Sequence, residues 1–226
     1  SRPNTSDLQT AQQAETPRFE ELLELKTRPL PKLAPGMALV RVEGAPVNPS
    51  DQLFIQGRYG VLPKPGDTPG FEGCGTVLAA NVGPYGWWLT GKRVSFGGQD
   101  GNGSWAHHVV VSAFECIPVS RQLPISAAAT LIVNPMTALG LVARAKRYGT
   151  RAIVVNAAGS ALGRYLIPLA AQHGLKFIGL VRRPQARDEL LRLGANEALV
   201  TGQPEFEEEL RATCQRHAAR VFFDAV

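Results

Sequence analysis

Residues 152–174 read AIVVNAAGSALGRYLIPLAAQHG, and the fold turns on them. Ala152, Ile153, Val154 and Val155 form an unbroken apolar run, the pattern of a strand buried on both faces of a parallel sheet. Residues 156–161 are small, as a tight turn requires. Leu162, Tyr165, Leu166, Leu169 and Ala170 then recur at helical spacing. A strand, a small turn and a helix start present free N–H groups and a positive dipole end, the place where a dinucleotide pyrophosphate is held. The three glycine positions of the dinucleotide fingerprint carry Ala158, Ser160 and Gly163. Gly159, Ala161 and Leu162 complete the candidate cofactor loop. Ala and Ser allow close backbone approach but do not take up positive φ as Gly does. An ordinary β-turn-α unit would therefore also account for this stretch. Pro168 removes a donor inside the helix and is expected to kink its last turns.

Reading on toward the C-terminus, residues 176–181 (KFIGLV) form a second strand ending in Arg182-Arg183-Pro184. An acidic residue at that point would suit a ribose 2′-hydroxyl. Two arginines suit a 2′-phosphate, hence NADP(H), with a solvated basic turn as the bland alternative. Pro184 opens a helix that Gly194 closes. A strand over 198–201, an acidic-fronted helix over 205–217 and a strand over 220–226 follow. The alternation predicts an α/β, Rossmann-type doubly wound parallel sheet.

Reading back, the texture changes. Twelve of the 17 prolines lie at or before residue 118. Short apolar runs at 19–26, 37–42, 73–80, 93–96 and 106–111 alternate with Gly/Pro turns, an irregular β-barrel or sandwich pattern. Helical runs at 125–131 and 135–148 follow, so the expected units are 1–122 and 123–226. Residues 1–15 are poor in apolar side chains and read as partly disordered, with 8–10 as a candidate edge strand.

The 226 residues are 44% hydrophobic, enough for one or two real cores. No apolar run is long enough to span a bilayer, and the first residues lack a signal-peptide core. The chain begins at Ser1, so a trimmed native start is expected. Cysteines at 74, 116 and 214 form neither a ligand spacing nor a disulfide framework. They suggest a reducing compartment, the cytoplasm or alternatively the mitochondrial matrix. A dispersed net charge of +5 suits anionic ligands and leaves no nucleic-acid footprint.

Local motifs carry a resemblance. Residues 45–51 (APVNPSD), 56–60 (QGRYG) and 69–76 (PGFEGCGT) resemble the zinc-free branch of the medium-chain dehydrogenase/reductase superfamily, which contains quinone oxidoreductases and 2-enoyl thioester reductases. Residues 127–138 (AAATLIVNPMTA) and 156–163 look closest to the enoyl reductases. The resemblance covers nearly all of the chain from about residue 19. It implies a GroES-like β-barrel ahead of the cofactor domain, NADPH as cofactor, a small-molecule or thioester substrate and a homodimer. Asn48 and Phe71 stand where the zinc enzymes of the superfamily carry Cys and His ligands, so zinc-dependent alcohol oxidation is not expected. His107 and His108, adjacent on a strand, point to opposite faces and cannot chelate together. The family's chains continue past the last strand here, which leaves the expected Rossmann domain incomplete at its C-terminal side.

Without a metal, reduction of an activated C=C needs a proton donor and hydrogen-bond donors for the developing enolate. The resemblance makes Tyr59 the proton donor; a loop-packed Tyr is the bland reading. Asn48 would position nicotinamide or substrate through its amide, or else is an Asn-Pro turn residue. The resemblance sets Asn134 and Thr137 against the nicotinamide, where helix capping is the alternative. Asp51 reads as a turn or cap residue, and Glu72 as an orienting group or a barrel ion pair. Arg144, Lys146 and Arg147 suit a helix C-terminus, and the three tryptophans are expected to pack. The expected function is NADPH-dependent reduction of an enoyl thioester or similar enone. Quinone reduction on the same scaffold, and an NADPH-binding sensor or crystallin-like protein without turnover, are the alternatives.

Overall fold

A computed structural model describes residues 18–30, 32–98 and 102–225. The candidate strand at 8–10 lies outside the described residues. The chain divides into two compact units, Ser1–Thr130 and Leu131–Val226.

The first unit contains β1 (Met37–Gly44), α1 (Pro49–Ile55), β2 (Glu72–Ala80), α2 (Gly83–Leu89), β3 (Arg93–Gly97), β4 (His108–Ser112), β5 (Ile117–Pro118) and α3 (Ile125–Ala129). The strands form one antiparallel sheet in the order β4-β1-β2-β3-β5. Alternation along β1 buries Ala38 and Val40 against Val77, Leu89, Val94, Phe96, Val109 and Val111. Fully burying such side chains contributes about 1.5–3 kcal/mol each. Two features differ from the sequence expectation. Residues 19–22 form a 3-10 turn rather than the start of a strand. The unit also extends past residue 122 to Thr130, because Ala128 and Ala129 on α3 pack on Cys74 and Ser95 Oγ donates to the Ala128 carbonyl.

The second unit contains α4 (Val133–Arg147), β6 (Ala152–Val155), α5 (Ala161–Gln172), β7 (Lys176–Val181), α6 (Pro184–Arg192), β8 (Glu197–Val200), α7 (Phe206–His217) and β9 (Ala219–Phe223). Its four strands are all parallel, in the order β8-β7-β6-β9. All four residues of β6 are buried, as the central strand of a sheet covered on both faces requires. One face packs α4, α5 and α6 on Ile153, Val155 and Phe177; the other packs α7 on Val154, Ile178 and Leu199. Pro168 lies on the exposed side of α5, and the helix runs through it to Gln172.

Candidate active site

Each unit builds one set of candidate site residues. In the first unit the set starts at the N-terminus of α1. Asn48 is the N-cap, Pro49 fills the first helical position, and Asn48 and Asp51 close a capping box. The carboxylate of Asp51 accepts the Asn48 N–H at 2.7 Å through Oδ2, and the Phe71 N–H at 2.9 Å through Oδ1. One fully buried side chain thus ties the start of α1 to the start of β2.

The other end of α1 places Tyr59. Gly57, at φ 67°, donates to the Phe54 carbonyl and Arg58 donates to the Leu53 carbonyl. These paired bonds are a Schellman closure, which needs the left-handed conformation at Gly57. Tyr59 then leans on Phe71 with ring centroids 5.2 Å apart, and Phe71 meets the buried Phe54 edge-on at 5.5 Å. The Tyr59 side chain remains 41% exposed, so its phenol is accessible. Asp51 therefore secures both the backbone of Asn48 and the residue on which Tyr59 rests. Glu72, also fully buried, accepts from Asn48 Nδ2 at 3.0 Å through Oε1.

Electrostatics set Asp51 apart from Glu43. Burial pushes the Asp51 carboxyl above its ordinary range and nearby Glu72 adds to the rise, while the N–H groups of Asn48 and Phe71 oppose it. Glu43 is held below its ordinary range, chiefly by the Thr76 hydroxyl at 2.6 Å and, against some desolvation, by Arg93 at 3.1 Å. Arg93 also donates to the carbonyls of Arg121 and Leu123, so this group is a brace for the sheet.

In the second unit the set is made largely of backbone. Ser160 caps α5, its hydroxyl accepting the Gly163 N–H at 3.3 Å. A Cβ built on Gly163 would strike the Ala158 carbonyl, so the third fingerprint position must be glycine. Ala158, fully buried, donates to Leu180 on β7 at 3.2 Å. The left-handed residue is Ala157, at φ 48°, and not Ala158 or Ser160. The turn can therefore form with non-glycine residues at the first two fingerprint positions. Asn156 holds it, its Oδ1 accepting the Ala157 N–H at 2.8 Å and its Nδ2 donating to Asp224 at 3.1 Å. Gly159 and Ala161 are exposed on the turn, and Leu162 packs into the core beneath it.

Arg182 and Arg183 follow β7, both exposed, and among the described residues neither joins an ion pair. Donors at a helix start with two available guanidiniums beyond the next strand fit a pyrophosphate and a second phosphate. Asn134 and Thr137 lie inside the first turns of α4, which begins at Val133 and is capped by Ile132. Neither is an N-cap, and the Thr137 hydroxyl donates back to the Val133 carbonyl at 2.6 Å. Trp87 is 81% exposed, contrary to the packing role expected of it; Trp88, 53% exposed, stacks on Tyr85 beneath Lys92, and Trp105 is partly buried and donates to the Pro46 carbonyl. Sequence reasoning passed over Phe71 as a platform and set Asp51 aside as a cap. An acid followed by hydrophobic residues on a short helix carries no signal of a partner twenty positions away.

Residues 34–121 match the alcohol dehydrogenase GroES-like domain. The chain is 35% identical to the mitochondrial enoyl-[acyl-carrier-protein] reductase of Bos taurus over 199 residues, 84% of this chain and 50% of that protein. A Mesorhizobium loti protein proposed to be an NADPH:quinone reductase is 38% identical, with a TM-score of 0.79, covering 87% of this chain and 57% of that one. The chain is similar to enzymes of the medium-chain dehydrogenase/reductase superfamily. Within that superfamily, the quinone oxidoreductase of Thermus thermophilus, solved also with NADPH, is 28% identical with a TM-score of 0.72. It is matched over 88% of this chain and 61% of its own. The chain spans about half the length of the curated relatives it matches.

Proposed function

We propose that this chain carries the cofactor-binding and proton-donating parts of an NADPH-dependent reductase of activated C=C bonds, acting on a 2-enoyl thioester or a similar enone. The observation that carries the reading is the pairing of the Ser160-capped turn with Arg182 and Arg183 on the following strand end. The turn would hold the pyrophosphate and the arginines the 2′-phosphate, with Asn134 and Thr137 toward the nicotinamide end. NADPH, when bound, supplies the hydride. Tyr59 donates a proton to the α-carbon from an accessible phenol steadied by Phe71, and Asn48 donates an amide N–H to nicotinamide or substrate carbonyl. The enoyl-reductase names of the curated relatives favour the thioester. The quinone reductase names of the solved neighbours favour a quinone as the second reading.

The deciding experiment is a panel of crotonyl thioester, simple enones and benzoquinone, each assayed with NADPH and with NADH on the longest form of the protein. Thioester reduction that prefers NADPH is the expected outcome. Turnover of benzoquinone alone selects the second reading. NADPH binding without turnover of any acceptor overturns both. A homodimer, matching the superfamily resemblance, is checked by sedimentation of the same sample.

A further inference from the structure

We propose that Glu72 is a positioning residue that fixes the sense of the Asn48 amide, so that Asn48 meets its ligand as a donor only. This rests on the reading of Asn48 above. The inference starts from a contact of 3.0 Å between Asn48 Nδ2 and Glu72 Oε1. An amide can present either its NH2 or its carbonyl, and the two ends are alike in size. A carboxylate resolves the choice, because it only accepts hydrogen bonds. The NH2 end must face Glu72, and the carbonyl end cannot.

The rest of the surroundings holds that choice in place. Glu72 is fully buried and starts β2, where its own carbonyl accepts the Ser104 hydroxyl. Its backbone neighbour Phe71 is held by Asp51, which also holds the Asn48 N–H. Two buried carboxylates thus act on one half-buried asparagine, Asp51 on its backbone and Glu72 on its side chain. Asn48 Nδ2 has two N–H bonds, and Glu72 takes one. The second is left for a ligand carbonyl, and no rotation of the amide can replace it with an acceptor without breaking the bond to Glu72. A donor fixed in advance is worth most where charge develops on oxygen, since no reorganisation is needed at the moment of reaction.

The test exchanges the two chemistries while keeping volume, charge and the hydrogen bond. In N48D/E72Q, the glutamine donates to the new carboxylate, and Asp caps α1 as well as Asn does. Only the outward group changes, from donor to acceptor. The double variant should melt close to the wild type and bind NADPH in the second unit as before, yet lose roughly 10²–10³-fold in kcat, the range for removal of one oxyanion donor. E72Q alone leaves only the capping contact with the Asp51 N–H to orient the amide and should lose roughly 3–10-fold, the worth of one neutral hydrogen bond. N48D alone sets two buried carboxylates against each other and should be the least stable of the three. A double variant with wild-type turnover overturns the proposal, because a purely structural Glu72 predicts that result. If the wild type reduces no acceptor, the functional reading falls instead, and the side-chain amide signals of Asn48 in ¹⁵N-labelled protein decide about Glu72. Shifted and collapsed Nδ2 proton signals in E72A are expected; unmoved signals overturn the assignment.

Discussion

In the first unit one buried carboxylate, Asp51, joins segments twenty residues apart and so sets Asn48 and the platform under Tyr59. In the second unit eight consecutive residues, 156–163, make the turn largely through their own backbone, the Ser160 hydroxyl and the Asn156 amide. One set of site residues is built from side chains brought together by the fold; the other is built mostly from main chain, with Asp224 as its one distant side-chain anchor. They should therefore fail differently. Removing an outward-facing functional group in the first unit should abolish chemistry and spare the fold. Changes at the turn should disturb fold and cofactor binding together.

The largest expected effect is on chemistry. Tyr59→Phe removes one hydroxyl from an exposed ring and leaves its contact with Phe71 intact. Turnover should fall roughly 10²–10⁴-fold, the usual range for a lost general acid. The melting temperature and the NADPH dissociation constant should both stay put. Steady-state kinetics beside a thermal melt check this, and an unchanged kcat removes Tyr59 from the mechanism.

Gly163→Ala is the contrasting break in the second unit. The added methyl meets the Ala158 carbonyl, which is backbone and cannot swing away. Overpacking of this kind costs about 1–3 kcal/mol or more. Denaturant unfolding should show that loss, and calorimetry should show NADPH binding weakened along with it. Full stability in the variant would mean that the turn can open without harm, and the backbone-made account of this site would fail.

The contrast between the units also explains what the sequence made legible. Strand β7 is found over the residues read for it, and β6, α5 and α6 lie within a residue or so of theirs, because burial on both faces, helical spacing and caps are local signals. In the first unit the runs at β1 to β3 were visible as alternation, but α1 and α2 were not. Each has seven residues and is punctuated by proline or glycine; α1 is held by its capping box and α2 by packing Leu89 into the core of the sheet. The candidate residues followed the same rule. Ser160 and Gly163 could be read from their neighbours, whereas the left-handed Ala157 could not, since its conformation is held by Asn156 and the end of β9. Asp51 and Glu72 show their importance only once Phe71 and Asn48 are beside them.

A third variant separates recognition from folding within the second unit. Arg183 is exposed, caps α6 with its backbone and makes no side-chain cap bond. Arg183→Ala should weaken NADPH by about 1.5–3 kcal/mol, the worth of a charged hydrogen bond, and leave NADH nearly unchanged. Parallel titrations with the two coenzymes measure it. Equal losses for both would place the 2′-phosphate elsewhere.

The smallest effect sharpens the comparison through pH. The first unit holds carboxyls displaced in opposite directions, Glu43 lowered and Asp51 raised. For Glu43 the folded state favours the ionised form. Its contribution to stability is present above the unfolded carboxyl range of about 4.3 and is lost as pH falls through the lowered folded value. For Asp51 the folded state favours the protonated form. Its contribution is present below the unfolded range near about 3.9 and is lost as pH rises through the raised folded value. The two slopes have opposite signs and act on opposite sides of about pH 4, so their combined contribution in the wild type should be greatest near there. Glu43→Gln should remove the first slope and leave a protein that is relatively favoured as pH drops toward about 4. Asp51→Asn should remove the second, though it also loses an acceptor for one of two backbone N–H groups and should be less stable throughout by about 1–3 kcal/mol. Denaturant midpoints taken from about pH 3 to pH 7 for the three proteins read out the slopes. Parallel curves for all three would mean that neither carboxyl is coupled to folding, and the side-chain tether that distinguishes the first unit from the second would lose its electrostatic support.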